Sequence, residues 1–307
     1  MTYGKIDLRR YIVASVWFGC NNHCSICMLG EKKKYFPPIG FDNFRKVLLL
    51  IRDEGRFDNL ILSGAEVTTF PDLPRYIQYA ASLRWFKKIQ IQTNGRRLSD
   101  PAYLDQLIRW GVNEFFISIH GFEKVHDAVT GTPGAFREIM TGLDHLQSRD
   151  ANVLTNTVVT RTNLGDLAGL IAHLAERRIS EMHLWNFFPM ERTDSRNLTV
   201  DLKDFVPLLP GLLSTMKRAG KPLVLKSFPQ CLSPGEPLFF DSLFPGTVLP
   251  EAFWKEFRDC GFRVCTHKAL CAAQDCWGLS SAYIDKYGDE RELLKPIGAD
   301  GDCHESV

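Results

Sequence analysis

Short apolar runs alternate with amphipathic stretches from Tyr11 to about Phe188. Six runs predict strands: Tyr11–Phe18, Asn59–Ser63, Lys88–Gln92, Glu114–Ile119, Asn152–Val159 and Glu181–Phe187. Between them, apolar residues spaced three and four apart predict helices over Phe41–Glu54, Asp72–Leu83, Pro101–Trp110, Gly134–Arg149 and Leu164–Arg177. The fourth is the clearest, with Phe136, Ile139, Met140, Leu143 and Leu146 on one face. Strands alternating with helices of this length predict βα units and a parallel sheet. Six units suit an α/β fold built as a partial (β/α)6 TIM-like barrel. A flat doubly wound sheet is the alternative, because periodicity does not separate a curved parallel sheet from an open one.

After Phe188 prolines become frequent, from Pro189 to Pro250, and the alternation breaks down. A helix over Val206–Ala219 and a strand over Leu223–Phe228 complete a first domain, 1–225. The remainder, 226–307, is loop-rich and needs more than an apolar core to hold it together.

In parallel sheets chemistry collects at the C-terminal ends of strands, and the unusual polar residues fall there. Strand 1 is followed by Cys20-Asn21-Asn22-His23-Cys24-Ser25-Ile26-Cys27, strand 2 by Ser63-Gly64-Ala65-Glu66, and strand 3 by Thr93-Asn94-Gly95. Strand 4 ends Ser118-Ile119-His120-Gly121, strand 5 carries Asn156 and Thr157, and strand 6 carries Trp185 and Asn186. His120 and His126 are read as loop residues able to reach a ligand. Lys32, Lys33, Lys34, Arg96 and Arg97 are read as solvated charge.

Thiolates suit iron–sulfur clusters, zinc or Cu(I). A cubane cluster usually takes four cysteines, so three on one loop leave an iron open, as a catalytic metal site requires. A zinc knuckle completed by His23 is the competing reading. Nine cysteines, an odd number clustered toward the two ends, fit metal binding in a reducing compartment better than a disulfide framework. The formal net charge of +1 points neither to nucleic acid nor to an acidic partner. No secretion signal and no apolar stretch of about 18 residues is present, so a cytoplasmic protein is expected, without membrane or nucleic-acid partners.

Cys20-x3-Cys24-x2-Cys27 after a first strand resembles the radical S-adenosylmethionine (radical SAM) superfamily. The resemblance implies a [4Fe–4S] cluster on these three cysteines, with S-adenosylmethionine chelating the fourth iron. Its reductive cleavage to a 5′-deoxyadenosyl radical, which takes hydrogen from a substrate, follows as the implied activity. Gly64-Ala65-Glu66-Val67 resembles the family's Gly-Gly-Glu-Pro motif, which binds the SAM amino group; Ala65 and Val67 depart from it, and Ile26 replaces the usual aromatic before the third cysteine. The resemblance further places Ser118 and Asn156 on the ribose or carboxylate and makes Asn94 a candidate ligand.

The segment Cys271-x4-Cys276-Trp277-Gly278-Leu279 and the tyrosines after it resemble the twitch or SPASM extensions of such enzymes. This implies an auxiliary [4Fe–4S] cluster, with Cys231, Cys265, Cys271 and Cys276 as expected ligands, Cys260 in reserve and Cys303 in the tail. Structural zinc is the alternative there. Expected partners are SAM, a peptide or small-molecule substrate, and an electron donor such as flavodoxin or ferredoxin. A peptide or protein side chain is the first substrate reading, with a nucleotide or small metabolite as the second. Only about ten residues precede strand 1, so a leader-binding domain would have to come from a separate partner. A non-catalytic iron–sulfur carrier and a zinc-stapled interaction protein are the readings from other classes.

Overall fold

The computed structural model describes residues 6–232, 245–248, 253, 255, 257, 260–261, 264–273 and 276–298. Its eight strands are β1 (Tyr11–Trp17), β2 (Asn59–Gly64), β3 (Lys88–Thr93), β4 (Glu114–Ser118), β5 (Asn152–Val159), β6 (Glu181–Asn186), β7 (Leu223–Lys226) and β8 (Gly246–Val248). They form one sheet in the order β7-β6-β5-β4-β3-β2-β1-β8, with every pairing parallel. The sheet curls into a half-barrel. The helices are α1 (Phe41–Glu54), α2 (Leu73–Ser82), α3 (Pro101–Trp110), α4 (Glu123–Thr130), α5 (Ala135–Leu146), α6 (Leu167–Ala175), α7 (Leu202–Phe205) and α8 (Leu209–Arg218), with a last one over Ser281–Tyr287. Among the described residues no helix is long and apolar enough to cross a membrane.

Several elements depart from the sequence reading, among them α7, the helix Ser281–Tyr287, α4 and β8. Helix α4 occupies the stretch read as a loop around His126. It makes two turns, with only Val125, His126, Val129 and Thr130 turned inward, too short for a helical period to stand out. Strand β8 lies beyond residue 225 yet pairs with β1, Ile12 opposite Gly246 and Ala14 opposite Val248. Three residues carry no readable alternation.

Alternate strand residues divide between two environments. Ile12, Ala14, Leu60, Leu62, Ile89, Ile91, Phe115, Ile117, Met182 and Leu184 face the helices and form one apolar core with them. The intervening positions face inward and are largely polar. At the N-terminal end of the barrel Glu114 accepts from Tyr11 Oη (2.9 Å), Gln90 Nε2 (2.8 Å) and Asn152 Nδ2 (2.7 Å). Beside it Glu181 pairs with His183 at 2.5 Å. Among the described residues this network fills the base of the barrel with paired polar side chains.

The loop after β6 ties the cysteine loop to the C-terminal segment. Phe187 and Leu198 pack on Ile26 and Val129, and Arg196 Nη1 donates to the Ser25 carbonyl (2.5 Å). From the other side Lys286 Nζ reaches Asp194 (2.7 Å), Tyr287 Oη donates to the Thr199 carbonyl (2.9 Å), and Tyr283 Oη accepts from Leu202 N (3.0 Å). Asp194 itself caps the loop by accepting from Leu198 N and Thr199 N.

Candidate active site

The inward polar positions at the C-terminal end of the barrel surround a cavity. Cys20, Cys24, Cys27, Gly64, Ala65, Asn94, Ser118 and Asn156 all line it, together with Ser63, Gln92, Lys33 and His120. Ser63 donates to Gln92 Oε1 (2.7 Å). Gln92 went unnoticed in the sequence, although the alternation Lys-Ile-Gln-Ile-Gln carries the signal: Ile89 and Ile91 face the helices, so Gln90 and Gln92 face inward.

The cysteine loop has no regular structure of its own and is held by its neighbours. His23 N donates to the Thr130 carbonyl and Ser25 N to the Val129 carbonyl, both at 2.9 Å, so the end of α4 anchors the loop. Glu66 N donates to the Gly19 carbonyl (2.9 Å) and Asn94 Nδ2 to Asn21 Oδ1 (2.7 Å). Arg96, read as solvated, instead donates through Nη1 to the Asn21 carbonyl (2.7 Å) and Asn22 Oδ1 (3.0 Å), and its Nε pairs with Glu138. Nothing in sequence separates such an arginine from a surface one. Lys33 also departs from the solvated reading, since it lines the cavity and its charge bears on Cys20 and Cys24. His23 is exposed and lies outside the cavity lining.

At Gly64 the backbone adopts φ +139°, and a Cβ there would lie 1.9 Å from the Trp17 carbonyl oxygen. Only glycine fits this approach of β2 to β1. It brings Ala65 N onto that carbonyl (2.8 Å) and sets the turn against the cysteine loop.

Glu66 is placed differently from a direct SAM ligand. Its carboxylate is fully buried and accepts from Thr68 N (3.0 Å), Thr68 Oγ1 (2.5 Å), Thr93 Oγ1 (2.7 Å) and Asn94 N (2.6 Å). It does not line the cavity. Burial pushes its pKa up against the pull of these donors. The carboxylate therefore binds the β2 and β3 turns to each other, and Asn94, engaged with Asn21 and Arg96 N, stands between it and the cavity.

His120 and His126 stack 5.8 Å apart. His126 Nδ1 accepts from His120 N (3.0 Å), and His120 Nδ1 accepts from Val158 N (3.2 Å), so both rings carry their proton on Nε2. Burial depresses His120 from 6.5 to about 3 and His126 to about 4. The unfolded chain therefore takes up two protons that the fold refuses as pH drops from about 6.5 to 4. Stability is full above pH 6.5 and should fall below it by roughly 1.4 kcal/mol per pH unit per histidine. Urea unfolding at pH 5 and pH 7 checks this: His126→Gln should halve the pH slope, and an unchanged slope would refute the assignment.

The donor set around the cavity fits a cluster. Three thiols share one cavity, and burial raises Cys20 and carries Cys24 up to about 12, so a metal is what would hold them as thiolates. Among the described residues no three His, Cys, Asp or Glu side chains close on a single-ion site. Tetrahedral zinc needs sulfurs about 3.8 Å apart, from a Zn–S bond near 2.3 Å; a larger iron–sulfur cube does not.

A second group of thiols lies in the C-terminal segment. Cys276 and Cys271 sit close enough to Cys265 to raise its pKa further, behind the effect of burial. Backbone N–H groups point at their sulfurs: Gln230 N and Gly278 N at Cys276, and Ile297 N at Cys271, each at 3.4 Å. Cys231 follows Gln230 in the chain and packs, half-buried, against the main apolar core. Cys260 is buried beside Gly261, whose carbonyl receives Ser281 N. Cys303 lies outside the described residues.

Comparison with known proteins follows the same lines. The chain is 29% identical over 190 residues to an AdoMet-dependent heme synthase of Methanosarcina barkeri, covering 60% of this chain and 52% of that protein. It is 24% identical over 156 residues to the sporulation killing factor maturation protein SkfB of Bacillus subtilis, covering 51% and 37%. The chain thus spans about half or less of the length of these curated relatives. Its fold matches that of Streptococcus suis SuiB bound to its precursor peptide SuiA, with a TM-score of 0.59 at 15% identity, covering 75% of this chain and 51% of that one. The sequence profile of the Radical SAM superfamily matches residues 15–174, more than half the chain. With its three cysteines lining the mouth of a parallel half-barrel, the chain belongs to the radical SAM superfamily.

Proposed function

We propose that this chain is a radical SAM enzyme that acts on a peptide or protein side chain. The observation that carries the activity is the convergence of three thiols with the Gly64–Ala65 turn, Ser118 and Asn156 on one cavity. Cys20, Cys24 and Cys27 hold the [4Fe–4S] cluster, and the Gly64–Ala65 backbone receives the SAM amino end. The cluster and SAM supply reductive cleavage to methionine and a 5′-deoxyadenosyl radical, which takes a hydrogen atom from the substrate.

The chain's own residues position and exclude. Asn156 Oδ1 is buried without a hydrogen-bond partner, which suits a ribose hydroxyl arriving as donor. Ser118 stands opposite it in the β4–β5 register. Glu66 acts on SAM through the Thr93–Asn94 turn that it holds. The filled base leaves the barrel mouth as the route for substrate, and the apolar cover of Ile26, Val129, Phe187 and Leu198 keeps water and stray hydrogen donors from the cysteine loop. Anaerobic incubation with SAM and dithionite tests the activity: 5′-deoxyadenosine should form, and its absence from cluster-replete protein refutes it.

The names of SuiB, bound to a precursor peptide, and SkfB, a maturation protein, support the peptide reading. A small-metabolite substrate is the second reading, favoured by the higher identity to a heme synthase. An electron donor such as flavodoxin or ferredoxin delivers the reducing electron.

The C-terminal segment completes this reading as a twitch-like domain with an auxiliary [4Fe–4S] cluster on Cys231, Cys265, Cys271 and Cys276. The N–H···S contacts support iron–sulfur binding, because such hydrogen bonds stabilise cluster thiolates. Reconstituted protein should carry about eight irons, and Cys271→Ala about four. Full zinc occupancy with four irons, or no iron lost in the variant, would refute the second cluster.

A further inference from the structure

Asn22 lies between the first and second cysteines and is 1% exposed. Its main-chain N–H donates to Cys20 Sγ at 3.3 Å. Its side-chain oxygen accepts from Arg96 Nη1 at 3.0 Å. A guanidinium has donors and no acceptor, so the end of the amide that faces Arg96 must be the oxygen, and the NH2 end is turned the other way. Asn22 lines the same cavity as Cys24, which lies two residues further along the loop. Yet Nδ2 is buried and completes a hydrogen bond to no group.

A buried donor without an acceptor destabilises the fold. A thiol is a weak acceptor, and a metal-bound thiolate a much better one. The deficit is therefore met when Cys24 is a cluster ligand. Reduction adds negative charge to the cluster and its sulfurs, which strengthens an N–H···S bond, and hydrogen bonds to sulfur are one of the factors that set cluster potentials.

We propose that Asn22 tunes the first cluster: its side-chain N–H, oriented by Arg96, donates to the Cys24 sulfur and makes the cluster easier to reduce. Arg96, itself held by Glu138, is the positioning residue. This rests on the reading that Cys20, Cys24 and Cys27 hold that cluster.

The test is an EPR-monitored redox titration of anaerobically reconstituted protein, with iron and sulfide counted in each sample. The auxiliary cluster is removed by Cys271→Ala in every sample so that one signal is followed. Asn22→Leu removes the donor without adding charge. Asn22→Asp removes the donor while keeping an acceptor for Arg96. Both should lower the ratio of reduced to oxidised cluster at a fixed potential about tenfold, a shift of about 59 mV for one electron. Arg96→Gln should shift it in the same direction, and Asn22→Leu with Arg96→Gln should add nothing further. Unchanged potentials in cluster-replete Asn22 variants would overturn the proposal. So would loss of the cluster from both Asn22 variants in folded protein, since that would make Asn22 an anchor of the loop. Absence of any cluster in the Cys271→Ala background would instead overturn the reading of the three cysteines.

Discussion

Alanine at Cys20, Cys24 or Cys27 should abolish formation of 5′-deoxyadenosine, with a loss of at least about a thousandfold. The size follows from the geometry. Three thiols line the cavity and His23, the nearby alternative ligand, is exposed and outside it. No described side chain stands ready to replace a lost sulfur. Each variant should also lose about four irons. Folding should survive, because the loop is tethered by the backbone of His23, Ser25 and Asn21 and by the Asn22 side chain, none of which uses a thiol. Iron content, melting temperature and product assay together decide the matter. A variant that keeps all its iron and cleaves SAM at the normal rate would remove these cysteines from the chemistry.

Glu66→Ala should cost about 3 kcal/mol or more of stability, because it strands the donors Thr93 Oγ1, Thr68 N and Asn94 N in a dry interior. Glu66→Gln keeps the volume but turns an NH2 group toward donors, and should cost about 1–2 kcal/mol. Either change frees Asn94 from its backbone anchor and disturbs the turn that faces the cysteine loop. SAM should bind about tenfold more weakly to the glutamine variant, equivalent to about 1.4 kcal/mol. Melting curves and equilibrium dialysis measure the two effects separately. If Glu66→Gln melts and binds like the parent protein, the buried carboxylate is not what holds this corner of the site.

The parallel sheet was legible because helical and strand periods alternate cleanly through Asn186, and the cysteine spacing announces its chemistry directly. The placement of Ser118 and Asn156 followed from the same alternation. What escaped was information carried across the chain. Arg96 reads as one more surface cation until the Asn21 carbonyl, 75 residues away in sequence, arrives beside it. Glu66 reads as a ligand, and its enclosure by Thr68, Thr93 and Asn94 is visible only in the fold. Helix α4 was too short to show its period, and β8 has only three residues. The C-terminal cysteines could be named, and Cys231, Cys265, Cys271 and Cys276 grouped as expected ligands, but the contacts of their segment back to Gln230 and to the loop after β6 were not legible.

The route from Lys286 and Tyr287 through Asp194 and Thr199 to Ile26 and Ser25 works like a keystone in an arch. The last helix presses on a span whose far end rests on the cysteine loop. A fragment cut after β7 would retain most of its sheet but lose the weight that seats that loop. The C-terminal segment is thus a structural partner of the barrel mouth, and exchanging it for another extension would require the span from Met190 to Thr199 to be refitted along with it.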